Sequence, residues 1–314
     1  MRYLRYLVVA LLSLWAPVAE AADRVALVIG NSVYEAVPAL PNPANDASDI
    51  AAALERLGFQ VTLGLDLDYR GMRLALRDFS AEAADSDMAI VYFAGHGIEI
   101  AKTNYLIPVN AELNSDRDVD FEAIALDTVL ASIRDAPGLR VVLVDACRNN
   151  PFVPSMSRTV ASRSLGRGLG RIDPVGGVLV GYAAREGTVA LDGEGRNSPY
   201  AQALLEHLEE PGLEIGKLFR RVRDTVYDLT DGQQEPFTYG SLPGEDIYLK
   251  PPEPVTGTLL AHAEDTGIAA AFVEAERTDT LPGWTRFIDR YGGNADNALV
   301  GFALRRRDTL VVGK

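Results

Sequence analysis

The chain has 314 residues, 47% apolar and 24% charged, the balance of an ordinary globular protein long enough for one large domain or a medium domain with an appendage. Its formal charge of -14 argues against nucleic acid or an anionic membrane surface as the main partner, and would attract a basic one. Three histidines and one cysteine cannot build a Cys/His zinc cluster, and the H-E-x-x-H, G-x-x-x-x-G-K-[ST] and G-x-S-x-G patterns are all absent.

Residues 1–21 follow the pattern of a secretory signal peptide. Arg2 and Arg5 make a positive start, Leu7 to Trp15 an apolar stretch, and Ala19-Glu20-Ala21 a small-residue cleavage site. The expectation is export to the periplasm or beyond the cell, with an uncleaved anchor as the alternative. The apolar stretch falls short of the roughly 20 residues a comfortable span needs, so no membrane span is expected after cleavage.

Strand and helix patterns then alternate. "RVALVIGN" (24–31) predicts a buried strand, and "DASDIAAALERLG" a helix with Ile50, Ala53, Leu54 and Leu57 on one face. A second strand (59–66), a second helix and a third strand, "MAIVYFAGHG" (88–97), follow. Next come a small hairpin (98–110), a helix stopped by Gly138, and a fourth strand, "LRVVLVDAC". "GGVLVGYAA" supplies a fifth strand, "SPYAQALLEHL" and "IGKLFRRVRDTVYDL" two helices, and "EDIYL" (245–249) a short last strand. Residues 22–250 thus predict an α/β fold, a mostly parallel central sheet sandwiched by helices, with its reactive site beyond the carboxyl ends of the strands. Residues 251–257 form a Pro-rich linker, and 258–314 a small helical C-terminal piece with patterns at about 258–276, 281–291 and 295–307.

His96 ends the third strand and Cys147 the fourth. If those strands are neighbours, the two side chains meet. A thiolate is a nucleophile, and a histidine beside it favours the ionised form and protonates the leaving amine. Gly97 has no side chain to keep its N–H from a developing oxyanion, and the Cys147 N–H is the natural second donor. The alternative is a strand-end histidine beside a buried inert thiol. His207 and His262 lie on helical stretches and read as partly exposed helix residues.

Four apolar residues then "AGHG", and 51 residues from His96 to Cys147 in "DACRNN", resemble the caspase/metacaspase family of cysteine peptidases, in particular its bacterial metacaspase-like (orthocaspase) branch. Ala146-Cys147-Arg148 match the caspase pattern Q-A-C-[RQG]-G, while Asp145 replaces its Gln and Asn149 its Gly. The resemblance covers roughly residues 24–249. It implies a caspase-hemoglobinase fold, a His96/Cys147 catalytic dyad, and cleavage after Arg or Lys, since metacaspases use acidic residues where caspases use basic ones. Asp145 and Asp46 occupy those acidic positions and suit a guanidinium. Asp46 alternatively belongs to a helix cap formed by Asn45 or Asp46.

The stretch 155–177, rich in Ser, Gly and Arg, reads as a mobile loop. Related enzymes carry self-processing sites there, which makes Arg158, Arg163, Arg167 and Arg171 candidates; a solvated basic loop is the alternative. "NSDRDVD" does not match a calcium loop, so no metal and no cofactor is expected, with calcium dependence left open. The expected activity is that of a cysteine endopeptidase acting on peptides or proteins. Its rivals are an asparaginyl or other peptidase on the same fold, and a catalytically weak caspase-like scaffold whose C-terminal helices bind a protein partner.

Overall fold

The computed structural model describes residues 24–147, 151–152, 154, 156–157, 177–185, 190–193, 195–252, 266–293 and 297–312. The chain divides into two compact units, Met1–Lys250 and Pro251–Lys314. In chain order the first holds β1 (Arg24–Gly30), α1 (Pro43–Arg56), β2 (Gln60–Leu65), α2 (Tyr69–Ala84) and β3 (Met88–Ile100). Then follow β4 (Thr103–Leu106), α3 (Val119–Glu122), β5 (Ile124–Ala125), α4 (Leu126–Ser132) and β6 (Leu139–Cys147). The unit ends with β7 (Val178–Tyr182), α5 (Pro199–His207), α6 (Ile215–Leu229) and β8 (Phe237–Gly240).

The apolar runs become strands covered on both faces because their side chains alternate between two separate cores. Ala26, Val28, Ile90, Tyr92, Val141 and Leu143 point to the side covered by α1, α5 and α6, against Ile50, Leu54, Leu204, Leu218 and Val222. Val25, Leu27, Ile29, Val91, Phe93, Val142 and Val144 point to the other, against Met72, Leu76 and Phe79 of α2 and Val129 of α4. Each fully buried Val, Leu, Ile, Phe or Met among these stabilises the fold by roughly 1.5–3 kcal/mol before the entropy of ordering it is counted.

Strand order is β2-β1-β3-β6-β7-β8. The pairs β1/β2, β1/β3, β3/β6 and β6/β7 are parallel, and β8 is antiparallel to β7. The fold is the expected one: an α/β sandwich around a mostly parallel sheet. β3 runs three residues past the expected end and turns through Ala101 and Lys102, both at positive φ (53° and 68°), into antiparallel β4. Two positive-φ residues are what a tight hairpin turn matched to strand twist requires.

The last strand lies elsewhere than expected. Residues 237–240 form β8, whereas 245–249 contribute only a bridge between Tyr248 and Glu214. The apolar alternation of "EDIYL" is used differently: Leu249 is buried, and the Ile247 carbonyl accepts the Ile215 N–H (2.9 Å) at the start of α6.

The second unit contains α7 (Thr266–Thr278), α8 (Leu281–Tyr291) and α9 (Ala298–Val312). Phe272, Trp284, Phe287, Leu299, Val300 and Ala303 form a core of its own. The Trp284 indole donates to Asp279 (2.7 Å), which also pairs with Arg306. Residues 1–23, containing the expected signal, lie outside the described residues. Among those described, no helix is long and apolar enough to cross a membrane.

Candidate active site

The parallel register of β3 on β6 sets His96 directly opposite Cys147. This brings together the two residue types at the carboxyl ends of adjacent strands. The Cys147 side chain and residues 148–150 are outside the described set, as are Arg158, Arg163, Arg167 and Arg171.

His96 is buried, 5% exposed, and is held by the segment that follows β1. Its backbone N–H donates to the Tyr34 hydroxyl (2.7 Å), which donates in turn to the Ile107 carbonyl (3.3 Å). The Tyr34 ring leans on the imidazole, centroids 4.5 Å apart. Gly95 makes room: its φ is +153°, and a Cβ there would stand 2.6 Å from the Tyr34 hydroxyl. Nε2 lies 3.5 Å from the Pro38 carbonyl, while the buried Nδ1 has no hydrogen-bond partner among the described residues. A proton on Nε2, toward Pro38, leaves Nδ1 as the basic nitrogen. Burial pushes the imidazole below its usual pKa, opposed by the Pro38 carbonyl and by the charge of Asp192.

Backbone alternation orients Gly97. The Ala94 carbonyl accepts from Asn31, the His96 carbonyl from Ile107, and the His96 N–H is taken by Tyr34, so even-numbered residues of this stretch turn away from β6. The Gly97 N–H is therefore turned toward the Cys147 strand.

Asp46 and Asp145 are distant in sequence and meet around Ser198. Asp46 lies in the first turn of α1 but does not cap it; Asn42 is the N-cap residue, and the helix begins at Pro43 rather than at Asn45 or Asp46. Its Oδ1 accepts the Ser198 N–H (3.0 Å). Asp145 Oδ2 accepts the Ser198 hydroxyl (2.5 Å) and the Tyr92 hydroxyl (3.1 Å). Both acids are buried, 2% and 7% exposed. Desolvation pushes Asp46 up to about 7, reinforced by the nearby Asp145 charge, and desolvation pushes Asp145 up to about 6 against the Ser198 and Tyr92 hydrogen bonds. Desolvation also keeps Tyr92 and Tyr200 protonated, which makes Tyr92 a firm donor. A neighbouring half-buried carboxylate, Asp49, is engaged by Arg196 (2.9 and 3.0 Å) and Asn197 (2.9 Å).

Sequence reasoning missed Tyr34, Pro38, Ser198, Asp192 and Gln234. Buried Gln234 receives the Leu191 N–H (2.9 Å) and donates to the Ala183 carbonyl (2.8 Å), fastening the segment that carries Asp192. The Asp192 carbonyl accepts from Asn42. A readable signal existed for one of these: "NSP" announces a serine N-cap followed by Pro at the first helical position. His207, expected to be partly exposed, is buried and its Nε2 lies 2.8 Å from Thr225 Oγ1, a packing role on α5. His262 lies outside the described residues. Among the described residues, no group of three or more His, Cys, Asp or Glu is arranged to hold a metal ion.

An open, largely parallel sheet with histidine and cysteine opposed at neighbouring strand ends defines a caspase-like fold of the cysteine-peptidase type. The chain belongs to the caspase-domain family, peptidase C14, whose family model matches residues 23–247. It is similar to the human mucosa-associated lymphoid tissue lymphoma translocation protein 1, 33% identical over 129 residues, 41% of this chain and 15% of that protein. Bovine caspase-13 is 29% identical over 144 residues (42% of this chain, 35% of the relative), and porcine caspase-1 is 29% identical over 132 (40% and 31%). The matched stretches span well under half the length of these curated relatives. The matches support the caspase family broadly, rather than its bacterial metacaspase-like branch in particular.

Proposed function

We propose that the chain is a cysteine endopeptidase that cleaves after Arg or Lys, with the metacaspase-like branch as its functional model. The observation that carries this reading is the His96/Cys147 register at the carboxyl ends of β3 and β6. In this reading Cys147 Sγ attacks the scissile carbonyl and His96 Nδ1 takes the thiol proton and returns it to the leaving amine. The Gly97 and Cys147 N–H groups stabilise the oxyanion, and water then hydrolyses the acyl-enzyme. Asp46 and Asp145 receive the basic side chain before the cleaved bond, a pairing supported by their shared burial and by the negative charge of the chain.

Self-cleavage at Arg158, Arg163, Arg167 or Arg171 and export directed by residues 1–21 belong to the same proposal. So do the domain limits 22–250, 251–257 and 258–314. Turnover of an arginyl-amide reporter under reducing conditions, with and without calcium, tests the reading. The wild type is expected to release the reporter and Cys147→Ala to lose all turnover. A pure, folded wild type that releases none under either condition overturns it. The second reading, a catalytically weak scaffold that binds a protein through its C-terminal helices, draws on the separate core of α7 to α9 and predicts that inactive result. A third, an asparaginyl or other peptidase, predicts that Asp46→Ala and Asp145→Ala leave Arg cleavage unchanged or that none exists.

A further inference from the structure

Asp46 comes from α1 and Asp145 from β6, and one residue of a third element touches both. Ser198 gives its backbone N–H to Asp46 and its hydroxyl proton to Asp145. The hydroxyl oxygen is already used as the N-cap of α5, accepting the Ala201 N–H (3.0 Å), and Pro199 fixes the entry to that helix. The hydroxyl proton is thereby aimed at Asp145 alone. Tyr92, buried beneath, places its donor on the same Oδ2, so both bonds gather on one oxygen, and Oδ1 accepts none among the described residues.

We propose that Ser198 is a positioning residue that makes Asp46 and Asp145 a single receptor selective for the planar guanidinium of Arg over the ammonium of Lys; this rests on the peptidase reading above. The physical basis is that a guanidinium needs acceptors in fixed relative geometry, whereas an ammonium is a compact point charge that tolerates displacement. Ser198 locks the two carboxylates through one residue and, among the described residues, leaves Asp145 Oδ1 without a donor. Without the hydroxyl, Asp145 keeps only Tyr92 as donor among the described residues, while the backbone bond to Asp46 survives replacement by Ala, Gly or Thr. Other charged or titratable groups bear on the pair. Asp49 and Asp192 add negative charge, Arg196 sits on Asp49, and Tyr92, which donates to Asp145, and Tyr200 both remain neutral. Loss of a hydrogen bond that favours the ionised form moves carboxylate titration upward.

The experiment compares kcat/KM on matched arginyl- and lysyl-amide reporters, across pH, for wild type, Ser198→Ala, Ser198→Gly and Ser198→Thr. Ser198→Ala is expected to lose about tenfold or more on Arg and clearly less on Lys, with the acid limb shifted to higher pH. Ser198→Thr restores both. Ser198→Gly keeps the N–H and most of the cap, so it serves if Ser198→Ala folds poorly. An unchanged Arg/Lys ratio and an unchanged acid limb overturn the proposal, because a merely structural serine would lower both reactions alike. If the wild type cleaves neither reporter, or Cys147→Ala still does, the peptidase reading fails. Calorimetric binding of agmatine reads the receptor without turnover: equal affinity in wild type and Ser198→Ala, or no binding to wild type, overturns the proposal on its own.

Discussion

Asp46 and Asp145 are two acids whose burial opposes their ionisation, and their pH behaviour is opposite to that of an ordinary surface carboxylate. Both are raised in the folded chain, so between the unfolded carboxylate range and about 6 to 7 the native state binds more protons than the unfolded one. Their contribution to stability is present at low pH and is lost as pH rises through the folded values. Asp145→Asn keeps acceptors for Ser198 and Tyr92 while removing the charge. It is expected to raise the thermal midpoint at pH 8, to lose that advantage near pH 4, and to abolish Arg cleavage; a lower midpoint at pH 8 would contradict this account. For the wild type, kcat/KM on the arginyl reporter should climb between about pH 6 and 7 as the pair ionises. Burial pushes the His96 imidazole below its usual value, toward the acid side of that limb. A pH-rate profile with its acid limb well below 6 would count against the acidic receptor.

The third strand and its turn show what a single element contributes. β3 supplies core residues to both faces, carries His96 to the site, and then reverses through Ala101 and Lys102. Neither residue favours positive φ, and each costs on the order of 1 kcal/mol there. The double substitution Ala101→Asn with Lys102→Gly is expected to stabilise the unit by about 1 kcal/mol or more in denaturant unfolding, with the m-value unchanged. Gly95, six residues upstream of Ala101, is the opposite case. Gly95→Ala sets a Cβ against the Tyr34 hydroxyl in a conformation side chains rarely adopt, and should reduce kcat/KM at least tenfold with loss of His96 geometry. Imidazole NMR shifts of His96 would register that loss directly. Within α1, the rise from Pro43 with Asn42 as cap explains why Asp46 points inward: it sits a full turn beyond the cap, on the face shared with Ala47 and Ile50.

For the molecule as a whole, two cores hold the sheet and a separate one holds α7 to α9. Trp284 is almost fully buried there and bonded to Asp279, so Trp284→Ala should cost roughly 3–5 kcal/mol of local stability. Hydrogen exchange across 266–312 should then accelerate, and unchanged protection would show that Trp284 is not the keystone of that core. The order of strands and helices, the parallel sheet and the strand ends bearing His96 and Cys147 were all legible in the chain. Each depends on short apolar runs and turn residues, which are local signals. The last strand was misplaced because "EDIYL" alternates as a strand does, yet its apolar residues found burial beside α6 without a ladder. Ser198, Tyr34 and Gln234 escaped because their roles lie in hydrogen bonds to residues 43 or more positions away along the chain, which no local pattern encodes.

By itself the amino-acid sequence determined the α/β class, the two strands that end in His96 and Cys147, and the presence of Asp145 two residues before the cysteine. Side-chain period and the scarcity of His and Cys suffice for that. Only the tertiary structure decided that β3 and β6 are neighbours in a register opposing His96 to Cys147, and that Asp46 turns inward rather than capping its helix. It alone brought Asp46 and Asp145 to the same serine. Register and burial are set by how whole elements pack, and that information is spread over the chain rather than held in any one segment of it.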